Sequence, residues 1–373
     1  MRSTARAATT PRPGTPGAGG FVHPAEWEPH AATWLAWPHK RSDWPGKFAP
    51  IPWVYAEIVR AIAPGETVRI IAPSPHVRAE ALRVLRAAHA DCARVEFFAC
   101  PTDRGWCRDM GPIFLVRRGP TRARIIVRFG FNAWAKYRDF KKDAEVPAAV
   151  AARCGEAMAD AVRDGRRVVL EGGAIDVNGR GSVLATEECL LDRRVQVRNP
   201  GYSRRDMEEV FADWLGARTA IWLGRGIAGD DTHGHVDDVC RFVGPRTVVL
   251  AEEKNPRDRN HRALEENRER LESARLERGQ RLEIVRIPMP SPLYFEGQRL
   301  PASYANFHIA NAAVLVPTFN DVRDRTALGM LGELFADRPV VGIHAVDLVL
   351  GLGTLHCLTH EEPALPPARR QPR

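Results

Sequence analysis

The stretch GHVDDVCRFVGPRTVVLAE, residues 234–252, places polar residues ahead of a short apolar strand, a tight turn and a second apolar strand. The same plan returns in RDMGPIFLVRRGPTRARIIV (108–127), EGGAIDVNGRGSVLATEECLL (171–191) and ASYANFHIANAAVLVPTFND (302–321), and in truncated form in GTLHCLTHE (353–361). With Asp109, Glu171, His235, Asn306 and Cys357 as markers, the successive spacings are 62, 64, 71 and 51 residues. A loose period of that size marks a radial array, in which each unit buries its face only against its neighbours. Such an array turns equivalent strand starts toward one axis, so five residues far apart in sequence become one candidate site.

Around these units, strand-like and helical runs alternate. VRIIAP (68–73), VEFFAC (95–100), IFLV (113–116), ARIIVRFGF (123–131), RVVL (167–170) and TVVLAE (247–252) are rich in β-branched or aromatic residues and read as strands. WVYAEIVRAIA (53–63), VRAEALRVLRAAHA (77–90) and AEVPAAVAARCGEAMADAVR (144–163) carry apolar residues at helical spacing. Ser203 with Asp206 forms a capping-box pattern opening a helix through Leu215, and the highly charged stretch 256–278 reads as a solvated surface helix. The class is α/β, with one catalytic domain expected over 21–362.

The 373 residues carry a formal charge of +8, which invites a nucleic-acid reading. Its location argues otherwise. Arg2, Arg6, Arg12, Arg369, Arg370 and Arg373 lie in residues 1–20 and 363–373, which contain no acid, leaving +2 for residues 21–362. Both flanks are rich in Pro and Ala, the first also in Gly, with little to bury, so a disordered N-terminal extension (1–20) and C-terminal tail (363–373) are expected. No nucleic-acid recognition motif accompanies the charge. No secretory h-region and no run of roughly 18–20 apolar residues occurs, so neither export nor a membrane partner is expected. The seven cysteines (Cys92, Cys100, Cys107, Cys154, Cys189, Cys240 and Cys357) are widely spaced without a CxxC, which favours a reducing cytoplasm over a disulfide framework.

The densest chemistry lies in Gly229-Asp230-Asp231-Thr232-His233-Gly234-His235-Val236-Asp237-Asp238. Two readings stand. His233, His235 and Asp237 alternate as metal ligands on a strand would, which suits a metal-dependent hydrolase. Alternatively, His235 is a general acid/base, positioned by carboxylates and working with a cysteine nucleophile elsewhere. Cys357 differs from the other cysteines in following Gly351 and Gly353 and in lying among His356, His360, Glu361 and Glu362. A thiol attacks only where its ionisation is favoured and a substrate can reach it. Two further carboxylates, Asp109 in Gly105–Pro112 and Glu171 ahead of Gly172-Gly173, sit beside glycines that let them project into a cleft.

Together these elements resemble the agmatine deiminase family of the guanidino-group-modifying superfamily. The resemblance runs from Thr33-Trp34-Leu35-Ala36-Trp37-Pro38 through Trp106–Pro112, Glu171–Gly173 and Asp230–Asp237. It continues in Ile287-Pro288, Ser303-Tyr304-Ala305-Asn306-Phe307 and Ile309-Ala310-Asn311, and closes in His356-Cys357. It implies a pentein fold, a five-bladed pseudo-fivefold α/β propeller built from ββαβ-type repeats around a central site. It also implies hydrolysis of a guanidinium, agmatine foremost, with water giving N-carbamoylputrescine and ammonia.

In that reading Cys357 attacks the guanidinium carbon and His235 handles the proton. Asp109 and Asp237 clamp the guanidinium, Glu171 orients His235, and Trp106 walls the site, with no metal or organic cofactor. The partner is a small cationic guanidino substrate, and relatives commonly assemble as homo-oligomers. Where the family usually reads Asp-Glu-Thr-Asn-Gly-His, this chain has Asp231 and His233 in place of the Glu and the Asn. The shorter Asp231 then faces the substrate's distal amine, which leaves another guanidino compound open. Peptidyl-arginine is less favoured, for want of an export signal and a following sandwich domain.

Overall fold

In the computed structural model, which describes residues 8–119 and 121–365, five mixed sheets share one pattern. In each, a first strand pairs antiparallel with a second, and the second pairs parallel with a strand reached through a crossover helix. Asp176–Val177, Ser182–Thr186 and Thr219–Leu223 make one such sheet, with the helix Arg204–Leu215 in the crossover. Cys240–Phe242, Thr247–Glu252 and Glu283–Pro288 make the next, around His261–Ser273. His308–Ile309, Val314–Thr318 and Val340–His344 follow, around Asp324–Leu334.

The remaining two are four-stranded. Phe21–Val22 edges Ile113–Arg117, Ala123–Arg128 and Ala157–Asp160, and Thr359–Pro363 pairs antiparallel with His30–Ala36 ahead of Thr67–Ala72 and Val95–Ala99. That last pairing brings the C-terminal unit back beside the N-terminal strand. Asp109, Glu171, His235, Asn306 and Cys357 each lie just ahead of the first strand of one of these sheets, as the repeat requires.

Local chemistry accounts for the elements. Ile51–Ile62 carries Pro52 in its first turn and buries Ile51, Val54, Tyr55, Ile58, Val59 and Ile62, the i, i+3, i+4 stripe of a core-facing helix. At Arg204–Leu215, Ser203 Oγ accepts from the Asp206 N–H while Asp206 accepts from the Ser203 N–H, and Gly216 at φ 66° ends the helix.

One helix is shorter than the apolar spacing predicts. The run over 144–163 is helical only for Val146–Cys154. Gly155, at φ 66°, stops it, and Ala157–Asp160 pairs parallel with Ala123–Arg128. Arg128 Nε donates to Asp160 at 2.6 Å across that pair. Here tertiary pairing overrides the helical propensity of Ala and Met. No helix among the described residues is long and apolar enough to cross a membrane.

The expectation of disorder over 1–20 is corrected for residues 8–20; residues 1–7 lie outside the described residues. Thr9 N–H donates to Arg218 O at 2.9 Å, Gly17 N–H to Asp213 O at 2.8 Å, and Arg12 N–H to Asp213 Oδ1 at 2.6 Å. The Arg12 guanidinium also meets Asp213, whose side chain is 0% exposed, so part of the flank's charge compensates a buried carboxylate. Low apolar content misleads here because backbone hydrogen bonds and one buried acid hold the segment. The C-terminal boundary also moves slightly, since Pro363 completes its strand and Ala364 N–H donates to Pro29 O; residues 366–373 of the expected tail lie outside the described residues. Replacing Arg12 with Ala should leave Asp213 buried without its cation and cost about 1–3 kcal/mol. Thermal unfolding measures this, and an unchanged Tm would show the contact to be idle.

Candidate active site

The strand starts converge on a cleft of ≈ 390 Å³ lined by Trp106, Asp109, Trp134, Asp231 and Cys357 among others. At its floor, Gly173 has no room for a side chain: a Cβ there would lie 2.5 Å from His235 Nδ1, 2.9 Å from Asp109 Oδ1 and 3.1 Å from Asp237 Oδ2. Its N–H instead donates to Asp109 Oδ1 at 3.0 Å, and Trp134 Nε1 donates to Asp109 Oδ2 at 2.9 Å. His235 stands between carboxylates, with Nδ1 3.8 Å from Asp109 Oδ1 and Nε2 3.9 Å from Glu171 Oε2. Glu171 is fixed from behind by Arg198, whose Nε donates to Oε1 at 3.0 Å with both side chains 0% exposed.

Cys357 sits on the turn Leu355–Leu358, its Sγ 3.7 Å from Asp237 Oδ2. Asn306 Nδ2 donates to that sulfur at 3.1 Å and to Asp238 at 3.0 Å, while Asn306 Oδ1 accepts from Thr354 Oγ1 at 2.7 Å and the His356 N–H at 3.0 Å. Gly353 permits this packing, because a Cβ there would lie 2.8 Å from the Trp106 ring and 3.1 Å from Cys357 Cβ. Asp237 is held by His356 Nδ1 at 2.7 Å, and His356 Nε2 reaches Glu26 at 2.9 Å.

Four buried polar atoms at this floor have no hydrogen-bond partner: Asp237 Oδ1, Glu171 Oε2 and both ring nitrogens of His235. Such a set is costly unless a ligand completes it. Two of the four are carboxylate oxygens left open to a donor.

The electrostatics follow from burial and close charges. Burial raises the Cys357 thiol well above its usual range, and Asp237, Asp238 and Asp109 reinforce the shift. Burial alone would lower His235, but Asp109, Cys189 and Glu171 outweigh it and hold the imidazolium well above the usual range. Glu171 is brought down to about 2 against its burial, chiefly by Arg198 and His235. Burial raises Asp109, while Asp237 is lowered against burial by His356. Without ligand, the floor therefore holds a neutral thiol beside a cationic imidazole.

Cys357, His235, Glu171, Asp109 and Asp237 thus come together, with Trp106 on the wall. Asp231 lies on the outer wall, where Lys136 Nζ binds Oδ1 and the Tyr137 hydroxyl donates to Oδ2 at 2.7 Å. His233 does not join the floor. Its Nε2 pairs with Asp192 at 3.0 Å, and at φ 65° its backbone turns the side chain away. The expected metal alternative of His233, His235 and Asp237 is therefore not assembled. The His/Cys/Asp/Glu groups that could hold an ion among the described residues are His30, Glu66 and His308, and Glu171, Cys189 and His235.

Sequence reasoning missed several groups. Trp134 sits in a turn whose Ala133, Trp134 and Ala135 all have positive φ, a conformation no motif announces. Arg198 and His356 gave only the weak signal of ionisable residues beside turns. Asn306 was visible as a repeat marker, without a chemical role.

Comparison with known proteins agrees with this geometry. An agmatine deiminase of Stutzerimonas stutzeri is 35% identical over 94% of this chain and 97% of its own, and one of Pseudomonas aeruginosa is 33% identical over the same shares. The agmatine deiminase of Enterococcus faecalis superposes with a TM-score of 0.84 at 28% identity, covering 95% of this chain and 99% of that one. The family model described as Porphyromonas-type peptidyl-arginine deiminase matches residues 22–363, which takes in every floor residue from Asp109 to Cys357, and the chain belongs to that family.

Proposed function

We propose that this protein is a deiminase that hydrolyses the guanidinium of a small cationic substrate, agmatine first, to a ureido product and ammonia. For agmatine the product is N-carbamoylputrescine. The observation that carries the reading is the unpartnered carboxylate oxygen Asp237 Oδ1, on a carboxylate whose other oxygen lies 3.7 Å from Cys357 Sγ. A planar guanidinium offers paired N–H donors, and Asp109 and Asp237 meet them from two sides. The five mixed sheets, each headed by a floor residue, support arrangement as the blades of a five-bladed propeller around this site, within one catalytic domain. The small cleft and the agmatine deiminase names of full-length relatives favour a free small molecule over a peptidyl arginine.

The chemistry follows from the charges. A bound guanidinium brings a positive charge against Asp109 and Asp237, which offsets the carboxylate repulsion that adds to burial in raising the thiol and favours its thiolate, the thiol proton passing to water. The thiolate sulfur adds to the guanidinium carbon, forming a C–S bond and a tetrahedral adduct. The adduct collapses by breaking one C–N bond, with His235 giving its proton to the departing nitrogen so that ammonia leaves. The neutral imidazole then takes a proton from water as the oxygen attacks the thiouronium carbon. Breakage of the C–S bond, with the adduct's hydroxyl proton passing to the departing sulfur, restores the Cys357 thiol and releases the ureido product. Glu171, fixed by Arg198, orients His235 and stabilises its cation. Asn306 donates to the sulfur and stabilises its anionic form.

Three outcomes test this reading. Cys357→Ala should retain the fold by circular dichroism and lower ammonia release from agmatine by more than about 10⁴-fold; turnover near wild type would exclude the thiol. Asp109→Asn and Asp237→Asn should each lower kcat/KM by roughly 10²–10³-fold, in line with loss of one charged positioning contact; a value within threefold of wild type would reject the clamp. Alkylation of Cys357 by neutral iodoacetamide, without substrate, should climb with pH past 9, because only the thiolate reacts and its pKa is raised. A rate already level at pH 7 would contradict a neutral resting thiol.

A further inference from the structure

The outer wall of the cleft is the part that the chemical step does not use, and two of its carboxylates are already occupied. Both oxygens of Asp231 are taken, Oδ1 by Lys136 Nζ and Oδ2 by the Tyr137 hydroxyl at 2.7 Å. Asp43 is taken likewise, by Arg104 Nη1 on Oδ1 and by Trp106 Nε1 on Oδ2 at 3.1 Å. Arg104 also lies 4.3 Å over the Tyr137 ring, so the two cations flank one aromatic. Glu296, on the tip of the hairpin Tyr294–Phe295 and Gln298–Arg299, completes the acidic side of the wall.

Lys136 is not a freely wandering surface side chain. It follows Ala133, Trp134 and Ala135 at φ 49°, 59° and 53°, a strained turn that persists only where its surroundings fix it. Asn132 Oδ1 accepts from the Ala135 N–H at 2.9 Å. Gln196 Nε2 donates to Trp134 O at 3.1 Å and to Asp231 O at 2.9 Å, lashing the turn to the Asp231 loop. The same turn sends Trp134 to Asp109 at the floor and Lys136 to Asp231 at the rim. With the Lys136 side chain 42% exposed and that of Asp231 14% exposed, the ammonium approaches the carboxylate from the solvent side.

We propose that Lys136 is a specificity-determining residue that occupies the position on Asp231 that a substrate's cationic tail would take. It thereby narrows the preference for an amine-bearing guanidino compound and admits one whose tail ends in a carboxylate. The inference rests on the guanidino-hydrolase reading of the cleft. A distal amine must displace or share with the Lys136 ammonium, and two like charges at one carboxylate repel. A tail carboxylate instead gains Lys136 as a partner. Glu296 acts on either tail whether or not Lys136 is present.

The test is steady-state ammonia release from agmatine and from 4-guanidinobutanoate, its carboxylate counterpart, by the wild-type chain, Lys136→Met and Lys136→Arg. In Lys136→Met the ratio of kcat/KM for agmatine to that for 4-guanidinobutanoate should rise by about tenfold or more. The change should fall in KM, downward for agmatine and upward for the acid, and Lys136→Arg should keep the wild-type ratio. A ratio within twofold of wild type in Lys136→Met would overturn the proposal, as would an equal fall in kcat for both compounds, the mark of a merely structural residue. Ammonia from neither compound with the wild-type chain would instead sink the guanidino reading, and the proposal with it.

Discussion

Charge convergence on Gly173 is the constraint to which the rest of the molecule answers. Three ionisable side chains from two other repeat units come so near its Cα that no β-carbon fits. Burying a carboxylate costs several kcal/mol unless partners replace its water. Each one here has them. Arg198 holds Glu171, His356 holds Asp237, and the Gly173 and Trp134 N–H groups hold Asp109. The compensation is incomplete by design of the geometry, since Asp237 Oδ1 and Glu171 Oε2 keep their lone pairs unused.

A second ionic layer lies below and keeps those partners in place. Glu26 receives His356 at 2.9 Å and the Ile309 N–H at 2.7 Å, lies 2.9 Å from His308 Nδ1, and also pairs with Arg241. Arg241 is 0% exposed and bridges onward to Asp176 at 3.0 Å and Phe307 O at 2.7 Å. Arg108 pairs with Glu361 at 2.7 Å beneath the same floor. These contacts join residues at the starts of all five sheets, so the ionic layer serves as both foundation of the site and cross-brace of the fold. Removing one partner of such a buried pair typically costs about 3–5 kcal/mol, because the other charge is left stranded. The layer therefore couples the position of Asp237, and through it Cys357, to the integrity of all five sheets.

Much of this was legible in the amino-acid sequence, for a definite reason. Asp109, Glu171, His235, Asn306 and Cys357 stand at equivalent strand starts, so the repeat exposes them even though their separations are large. What stayed hidden depends on contacts between units rather than within them. Gly155 and the Arg128–Asp160 pair convert Ala157–Asp160 from a helical pattern to a strand. Residues 8–20 look unfoldable by composition, yet Asp213 and the backbone at Gly17 hold them. Trp134 and Lys136 are aimed by three successive left-handed residues that no propensity would place there. His233 looked like a ligand from its spacing, but a positive φ turns it to Asp192. Of the six arginines on the flanks, Arg12 belongs to the fold through Asp213.

The central claim is that Cys357 carries the substrate's carbon during turnover. Acid quenching of the protein with agmatine in the steady state, followed by intact-mass and peptide-mass measurement, tests it most directly. An adduct equal in mass to substrate less ammonia, confined to the peptide containing Cys357 and absent from Cys357→Ala, is the expected result. Turnover with an unmodified Cys357, or an adduct on another cysteine, would contradict it.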